Sequence, residues 1–168
     1  IEQLLKPHEK DFRKWDEKGE FPVEFIEELR QFGLFSLVIP EVHGGMALSA
    51  TAYSRTLQEL ARYDGSVAVT VGAHSSIGMR GLLLFGTDEQ KARFMPKLST
   101  GEMIAAFCLT EPGAGSDAAS IKTTAVKEGD EWVLNGNKLW ITNGGIAQFF
   151  TVFAKTGGQA DRGNMTAF

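Results

Sequence analysis

The chain has 168 residues, of which 43% are hydrophobic and 23% are charged, as in ordinary globular proteins. Its net charge of −4 and its scattered basic residues argue against a surface for nucleic acid or anionic membranes. The single cysteine, Cys108, excludes an intrachain disulfide and a cysteine cluster for zinc, and it favours a reducing compartment. No apolar run approaches the roughly twenty residues that span a bilayer, so we expect no membrane segment.

Helices are predicted for the first two thirds of the chain. Apolar side chains at helical spacing indicate an amphipathic helix near the N-terminus and a second helix that begins near Pro22 and ends at Gly33. An apolar passage over 34–39 follows, and then a third helix that ends at Asp64-Gly65. The apolar positions of these three helices are Leu4, Leu5, Phe12, Trp15, Phe25, Ile26, Leu29, Tyr53, Leu57, Leu60 and Ala61.

The next predicted helix is apolar on much of its circumference, which is typical of a buried helix. Ser66 is placed to cap its first turn, and Gly86 ends it. Thr87 and Gln90 then form a capping-box pattern for a short helix that Pro96 closes.

Strands are predicted from residue 104 onward, where short segments rich in β-branched and aromatic residues alternate with turn residues. Asn135-Gly136 predicts a two-residue hairpin turn, because both positions of such a turn need positive φ. We therefore expect an α+β chain, with an all-helical domain over 1–103 and the first part of an incomplete antiparallel β-domain over 104–168. The predicted strands are 104–109, 121–126, 131–134, 138–142 and 149–154.

Two segments carry the plainest functional signal, residues 107–117 (FCLTEPGAGSD) and residues 139–145 (LWITNGG). The first runs into a glycine-rich turn, and open backbone N–H groups in such a turn suit anionic oxygen. In the second, alternation along a strand places Trp140 and Thr142 on one face, which suits a flat polar ring. Each segment also has an ordinary interpretation, a β core for the Trp and Thr and a plain loop for the Ser, Gly and Pro residues.

The first segment, continued through residues 118–120, closely resembles the signature of acyl-CoA dehydrogenases. The second resembles the tryptophan-containing strand with which that family covers its flavin. The likeness extends over nearly the whole chain, including residues 72–78 and 83–87, and it is closest to the very-long-chain branch. It implies FAD-dependent α,β-dehydrogenation of a long-chain fatty acyl-CoA to the trans-2-enoyl-CoA.

The resemblance also assigns roles to residues of the two segments. It implies that Trp140 packs on the flavin and that Thr142 hydrogen-bonds near its N5 edge. The stretch 107–116 would lie against the pyrimidine edge and the pyrophosphate-bearing chain, with Ser116 also near the CoA pantetheine. The implied cofactor-binding residues are Phe107, Cys108, Leu109, Thr110, Gly113, Gly115, Ser116, Trp140, Ile141 and Thr142.

Two glycines of the long apolar helix, Gly78 and Gly81, lie on one helical face and remove two side chains from it. Together with the very-long-chain resemblance, they indicate substrate-binding residues at the floor of a deep acyl tunnel. Close helix packing explains the same pair equally well.

Four further side chains receive less specific interpretations. His74 could be a general base, but an isolated histidine is more often structural. Cys108 lies in a predicted strand and is expected to be a buried, inert thiol. Glu111 and Asp117 are expected to fix the loop rather than to catalyse, since a carboxylate would repel a nearby phosphate.

The implied reaction needs a carboxylate base that removes the α-proton while the β-hydrogen leaves as hydride. In the family this base is a glutamate in a second helical domain that follows the β-domain. None of the carboxylates here matches its motif, so we predict no catalytic residue within 1–168 and no turnover from these residues alone. The chain starts at Ile1 without the features of a secretory leader, and we expect a trimmed or partly observed chain.

The resemblance implies a fatty acyl-CoA substrate, electron-transferring flavoprotein as the electron acceptor, and a homo-oligomeric parent protein. A bacterial cytoplasm and a mitochondrial matrix both agree with it, and no metal is expected. Two alternatives remain open. One is an acyl-CoA oxidase or a related flavin enzyme of the same superfamily, and the other is a non-catalytic helical binding module.

Overall fold

The computed structural model describes residues 1–157 and 164–168. Helices precede strands, which confirms the predicted α+β class. A polar loop that the sequence predicts over 157–163 lies, apart from residue 157, outside the described residues. The helices are α1 Glu2–Leu5, α2 Phe12–Lys18, α3 Val23–Gln31, α4 Ala50–Ala61, α5 Gly65–Ala73, α6 Arg80–Phe85 and α7 Asp88–Thr100. The strands are β1 Ala105–Cys108, β2 Thr124–Glu128, β3 Glu131–Asn135, β4 Phe149–Lys155 and β5 Met165–Ala167.

The predicted first helix is divided by a 3₁₀ turn, Lys6–His8, that contains Pro7. Proline lacks the backbone N–H that an uninterrupted helix would use, so α1 and α2 are separate. α2 and α3 pack through an aromatic cluster in which the ring centroids of Trp15 and Phe25 are 4.7 Å apart. These rings adjoin the main core of the helical part, which includes Leu5, Phe12, Leu29, Phe35, Leu60, Val67 and Val71.

Side-chain caps start the two helices that follow. Ser49 Oγ accepts from the N–H of Ala52 at 3.2 Å and begins α4. Asp64 Oδ1 accepts from the N–H of Val67 at 2.8 Å and begins α5. The predicted cap, Ser66, is therefore wrong, because the extended backbone at Asp64 makes that residue the N-cap.

α5, a π-helical turn over His74–Gly78 and α6 form one helical segment, Gly65–Phe85, which ends at Gly86 as predicted. With 21 residues and a mean hydropathy of 1.3, this segment is long and apolar enough to cross a membrane. Our statement that no apolar run approaches that length was therefore wrong. Some 61% of its apolar window is buried inside the fold, where the segment packs against α4 and β1. Such burial is typical of a core helix.

α7 begins with the predicted capping box. Thr87 Oγ1 accepts from the N–H of Gln90 at 3.2 Å, and Gln90 Oε1 accepts from the N–H of Thr87 at 2.9 Å. The predicted end at Pro96 is wrong, because the helix continues past it. Met95 and Leu98 are fully buried, and their packing outweighs the backbone hydrogen bond that proline removes.

The five described strands form one sheet in the order β1-β4-β2-β3, with β5 also paired to β4. β1 and β2 each pair with β4 in parallel, whereas the pairs β2–β3 and β4–β5 are antiparallel. The sequence predicts an antiparallel domain, but the sheet is mixed. A long connection that contains the β2–β3 hairpin joins β1 to β4, and such a connection allows both strands to run in the same direction.

The β2–β3 hairpin turns at Gly129-Asp130, where Gly129 has a φ of 64°. The predicted turn at Asn135-Gly136 is therefore wrong. The close approach of Thr123 explains the glycine at position 136. A Cβ there would lie 2.2 Å from Thr123 Oγ1 and 2.7 Å from Thr123 Cα. A glycine lets the chain pass close to the Thr123 backbone.

Candidate functional site

The glycine-rich segment makes a tight turn directly after β1. Glu111 and Ala114 exchange backbone hydrogen bonds of 2.9 and 3.1 Å, which close the turn through Pro112-Gly113. A Cβ at Gly113 or Gly115 would meet nothing within 4 Å, and Ser116 is exposed. The predicted phosphate-binding stretch therefore presents open backbone that a ligand could approach.

The buried carboxylate of Glu111 fixes this turn through hydrogen bonds. Glu111 accepts from the backbone N–H of Lys122 at 2.6 Å and of Thr123 at 3.0 Å, and also from the Thr123 hydroxyl. The Lys138 ammonium donates to the same carboxylate at 2.8 Å. These contacts confirm the prediction that Glu111 fixes the loop, and they add a partner that the sequence pattern did not indicate.

The charge of Glu111 is well stabilised. Burial alone would raise the pKa of this carboxyl, but the bonds from Lys138 and from the donors of residues 122 and 123 outweigh burial and lower that pKa to about 2. A carboxylate with so low a pKa, which already accepts four hydrogen bonds, is a poor general base. Asp117, the other carboxylate of the segment, accepts from the Ser120 hydroxyl in the following 3₁₀ turn.

The second segment lies beside the first. The N–H of Leu139 donates to the carbonyl of Thr110 at 2.9 Å, and Lys138 Nζ donates to the carbonyl of Leu109 at 3.1 Å. The structure thus brings together residues 109–110 and residues 138–139, which are far apart in the sequence.

Residues 138–142 do not form the predicted strand. Trp140 has a φ of +57°, in the left-handed region, and its side chain is 83% exposed. The predicted alternation that would place Trp140 and Thr142 on one face of a strand is therefore wrong, because alternation requires extended backbone. Thr142 is exposed and Ile141 is half-buried, so this segment is a loop with an outward-facing indole.

Asn143 anchors the far end of this loop. Its Nδ2 donates to the carbonyl of Thr70 in α5 at 3.0 Å and to the carbonyl of Ala105 in β1 at 3.3 Å. Our sequence reasoning missed Asn143 and Lys138. The pattern Asn-Gly-Gly was a usable signal for Asn143, since asparagine tolerates positive φ and this residue has a φ of 65°.

Phe107 and Cys108 complete β1, and the Phe107 ring packs against a ring of the neighbouring strand β4. The rings of Phe107 and Phe153 have centroids 5.0 Å apart. Cys108 is buried and free, and burial raises the pKa of its thiol, in agreement with the prediction of an inert cysteine. Among the residues the structure describes, no group of three or more His, Cys, Asp or Glu side chains could hold a metal ion.

His74 bridges the helical part and the sheet. The N–H of Ala105 donates to its Nδ1 at 3.0 Å, so Nε2 carries the proton and donates to the carbonyl of Phe35 at 3.1 Å. The ring is fully buried, and burial lowers the pKa of His74 to about 4. The structural interpretation of His74 is therefore confirmed, and a base role has no support.

The buried His74 should make folding stability depend on pH. Its pKa is about 4 when folded and 6.5 in the reference state, so the unfolded chain takes up a proton first as pH falls. Stability from this residue is present above about pH 6.5 and declines toward pH 4, by about 3 kcal/mol in total. Urea unfolding between pH 7 and 4 should show this loss, and His74→Gln should flatten it. An equal slope in the variant would contradict the assignment.

Gly78 is surrounded closely. A Cβ at this position would lie 2.8 Å from the Ala105 Cβ and 2.9 Å from the Ala105 carbonyl carbon, and the Gly78 carbonyl accepts from the Thr151 hydroxyl at 2.7 Å. The space that the missing side chain leaves is filled by β1, which favours the packing alternative over an open tunnel floor. At Gly81 the nearest atom, Thr151 Cγ2, would be 3.7 Å away, and a tunnel role for Gly81 stays a prediction.

Two protein-family models match consecutive parts of the chain. Residues 2–102 match the acyl-CoA dehydrogenase N-terminal domain, and residues 106–168 match the acyl-CoA dehydrogenase middle domain. The chain belongs to the acyl-CoA dehydrogenase family, as the resemblance predicted.

Individual relatives span a range of substrates in their names. A human very long-chain specific acyl-CoA dehydrogenase, named as mitochondrial, is 46% identical over an alignment of 164 residues that covers 93% of this chain and 25% of the relative. The structure of an acyl-CoA dehydrogenase from Bacillus anthracis complexed with FAD matches with a TM-score of 0.83 and 38% identity, over 98% of this chain and 27% of that one. Butyryl-CoA dehydrogenase from Megasphaera elsdenii matches with a TM-score of 0.85 and 35% identity, over 99% and 46% of the two chains. The chain thus spans about a quarter of the length of the human relative.

Proposed function

We propose that the complete gene product containing this chain is an FAD-dependent dehydrogenase of long-chain fatty acyl-CoA thioesters, and that residues 1–168 supply part of its flavin site. The observation that carries the proposal is the backbone hydrogen bond of 2.9 Å from Leu139 to Thr110, which joins the two candidate segments into one surface. That surface combines open glycine backbone with an exposed indole, and such a combination fits a ligand with an anionic chain and a flat ring.

Different residues of this surface suit different parts of FAD. The open backbone at Gly113 and Gly115 and the exposed Ser116 suit the pyrophosphate-bearing chain of FAD, with Ser116 also near the acyl-CoA. Trp140 and Thr142 would lie against the isoalloxazine. Phe107, Cys108, Leu109, Thr110 and Ile141 complete the proposed cofactor site, whose residue roles come from the family resemblance.

The chemistry divides between the cofactor and the polypeptide. When bound, FAD accepts the hydride that leaves the β-carbon of the acyl-CoA. The residues described here bind and orient the cofactor, and the Leu139–Thr110 hydrogen bond keeps the two segments together. The proton on the α-carbon needs a base of another kind than Glu111, and we propose a carboxylate from outside residues 1–168. Residues 1–168 alone would then show no turnover.

The 46% identity to the human very-long-chain relative supports a long acyl chain. We further propose a helical domain over 1–103 followed by the start of the β-domain, a homo-oligomeric protein, and electron-transferring flavoprotein as the acceptor. The location would be the mitochondrial matrix in a eukaryote, as the human relative's name suggests for that protein, or the cytoplasm in a bacterium.

The test is flavin binding and turnover by the complete gene product, with an exposed tryptophan as the matched control. Trp140→Ala should weaken FAD binding about tenfold, because a large aromatic contact is lost. Trp132→Ala, at a half-exposed indole of the β2–β3 hairpin, should leave it within about twofold. Fluorescence titration of FAD measures both.

The outcomes separate the candidate functions. Reduction of the flavin by a long-chain acyl-CoA, without peroxide under air, supports a dehydrogenase. Stoichiometric peroxide would indicate an oxidase of the same superfamily. A stably folded gene product that binds no flavin would contradict the proposal and favour a binding module.

A further inference from the structure

Trp140 holds an unusual backbone conformation at an exposed position. Its φ of +57° lies in the left-handed region, which is rare for a bulky residue and costs energy. Its side chain is 83% exposed, so the packing of the indole does not offset that cost. The conformation must therefore be imposed by the residues on either side.

The loop is fixed at both ends by hydrogen bonds to other elements. Before Trp140, the N–H of Leu139 donates to the Thr110 carbonyl at 2.9 Å. After it, Asn143 Nδ2 donates to the carbonyls of Thr70 and Ala105 at 3.0 and 3.3 Å. The first bond ties the loop to the glycine-rich segment, and the second pair ties it to α5 and β1.

Asn143 also organises the chain that follows. Its carbonyl accepts from the N–H groups of Ile146 and Ala147 at 3.0 and 2.8 Å. Its own φ of 65° reverses the chain, and asparagine is one of the few non-glycine residues that adopt this conformation readily. Ala105, one of its acceptors, is held from the other side by His74, so the anchor is attached to a rigid part of the fold.

We propose that Asn143 is a positioning residue that holds Trp140 in its left-handed, outward-facing conformation for contact with the flavin. This inference rests on the proposed function, because it takes Trp140 to be a flavin contact. Asn143 itself need not touch the cofactor. It acts through the loop, with its side-chain amide bonded to Thr70 and Ala105.

Two variants separate the contribution of the Asn143 side-chain hydrogen bonds from that of its positive φ. Asn143→Asp keeps the size and the tolerance of positive φ but turns an acceptor toward two carbonyl oxygens, and it should weaken FAD binding at least about tenfold in the complete gene product. Asn143→Gly still allows the positive φ but removes the side chain together with its two hydrogen bonds, and it should weaken binding about threefold. Gln3→Glu is the control for an amide-to-carboxylate change, because Gln3 is exposed in α1, outside the proposed site, and makes no side-chain hydrogen bond within 1–157 and 164–168.

The readout must separate positioning from simple stabilisation. The visible circular dichroism of bound FAD reports the orientation of groups around the ring, and the melting temperature of the flavin-free protein reports the fold. We expect an altered flavin dichroism and a weaker affinity in both Asn143 variants, and neither change in Gln3→Glu. A lower melting temperature with unchanged affinity and dichroism would mean a structural role only and would overturn the inference.

A measurement on the unaltered protein keeps the inference testable if the variants fail to fold. A crystal structure of the complete gene product with FAD should show Trp140 with positive φ against the ring and Asn143 bonded to Thr70 and Ala105. Extended backbone at Trp140 in that complex would overturn the inference and leave the proposed function intact. Absence of FAD binding by the unaltered protein would instead overturn the proposed function, and the inference with it.

Discussion

Glu111→Gln should lower the free energy of unfolding by about 3 kcal/mol, because it leaves the Lys138 ammonium buried without a counter-charge. The side chains of Lys138 and Glu111 are only 13% and 6% exposed, and their N–O distance is 2.8 Å. The glutamine amide also brings donors toward backbone N–H groups that now meet a carboxylate. Urea unfolding of flavin-free protein at pH 7 measures the loss directly.

Two controls make this prediction specific. Glu131→Gln replaces an exposed glutamate of β3, and its effect should stay within about 0.5 kcal/mol. The double variant Glu111→Gln/Lys138→Met should cost less than the sum of the single changes, since the lone charge is gone. Equal stabilities of Glu111→Gln and Glu131→Gln would contradict a buried, coupled pair.

The stability that Glu111 contributes depends on pH in the same direction as the stability from His74, because both contributions are lost as pH falls. The pKa of Glu111 is lowered from 4.5 to about 2, so its contribution is present above about pH 4.5 and is lost as pH falls toward 2. His74 acts between about pH 6.5 and 4. The free energy of unfolding should therefore decline in two pH windows, and Glu111→Gln should abolish only the decline below about pH 4.5.

Local patterns in the sequence predicted much of the fold because most elements here obey them. Four of the predicted strands, 104–109, 121–126, 131–134 and 149–154, are rich in β-branched and aromatic residues. Each of them overlaps an observed strand. The Thr87–Gln90 capping box formed as predicted, since both of its bonds join residues three apart. Such signals lie within a few residues and can be read without the fold.

The candidate site was only partly predictable, because its geometry depends on distant partners. The stretch 138–142 has a good strand composition, but its course is set by bonds to Thr110, Thr70 and Ala105. Those bonds turn Trp140 into the left-handed region, which no local preference of tryptophan would indicate. The same holds for Lys138, whose partner Glu111 is 27 positions away.

Gly78→Leu should unfold or strongly destabilise the protein rather than shift its preference to shorter acyl chains. A Cβ at residue 78 would lie 2.8 Å from the Ala105 Cβ and 2.9 Å from its carbonyl carbon. Ala105 cannot easily move, because His74 and Asn143 hold its backbone N–H and carbonyl and β4 pairs with it. Overpacking of this kind costs about 1–3 kcal/mol even for a small side chain, and a leucine should exceed that range.

Gly81 provides the matched control on the same helical segment. A Cβ there would be 3.7 Å from Thr151 Cγ2, an ordinary contact, so Gly81→Ala should be neutral or should stabilise the helix by up to about 1 kcal/mol. Soluble yield and urea unfolding of Gly78→Ala, Gly78→Leu and Gly81→Ala measure the contrast. If Gly78→Leu instead folded with normal stability and favoured shorter acyl-CoA substrates, the tunnel floor would be the correct explanation of Gly78. Close packing on β1 predicts the reverse, because the volume beside Gly78 is already occupied by backbone.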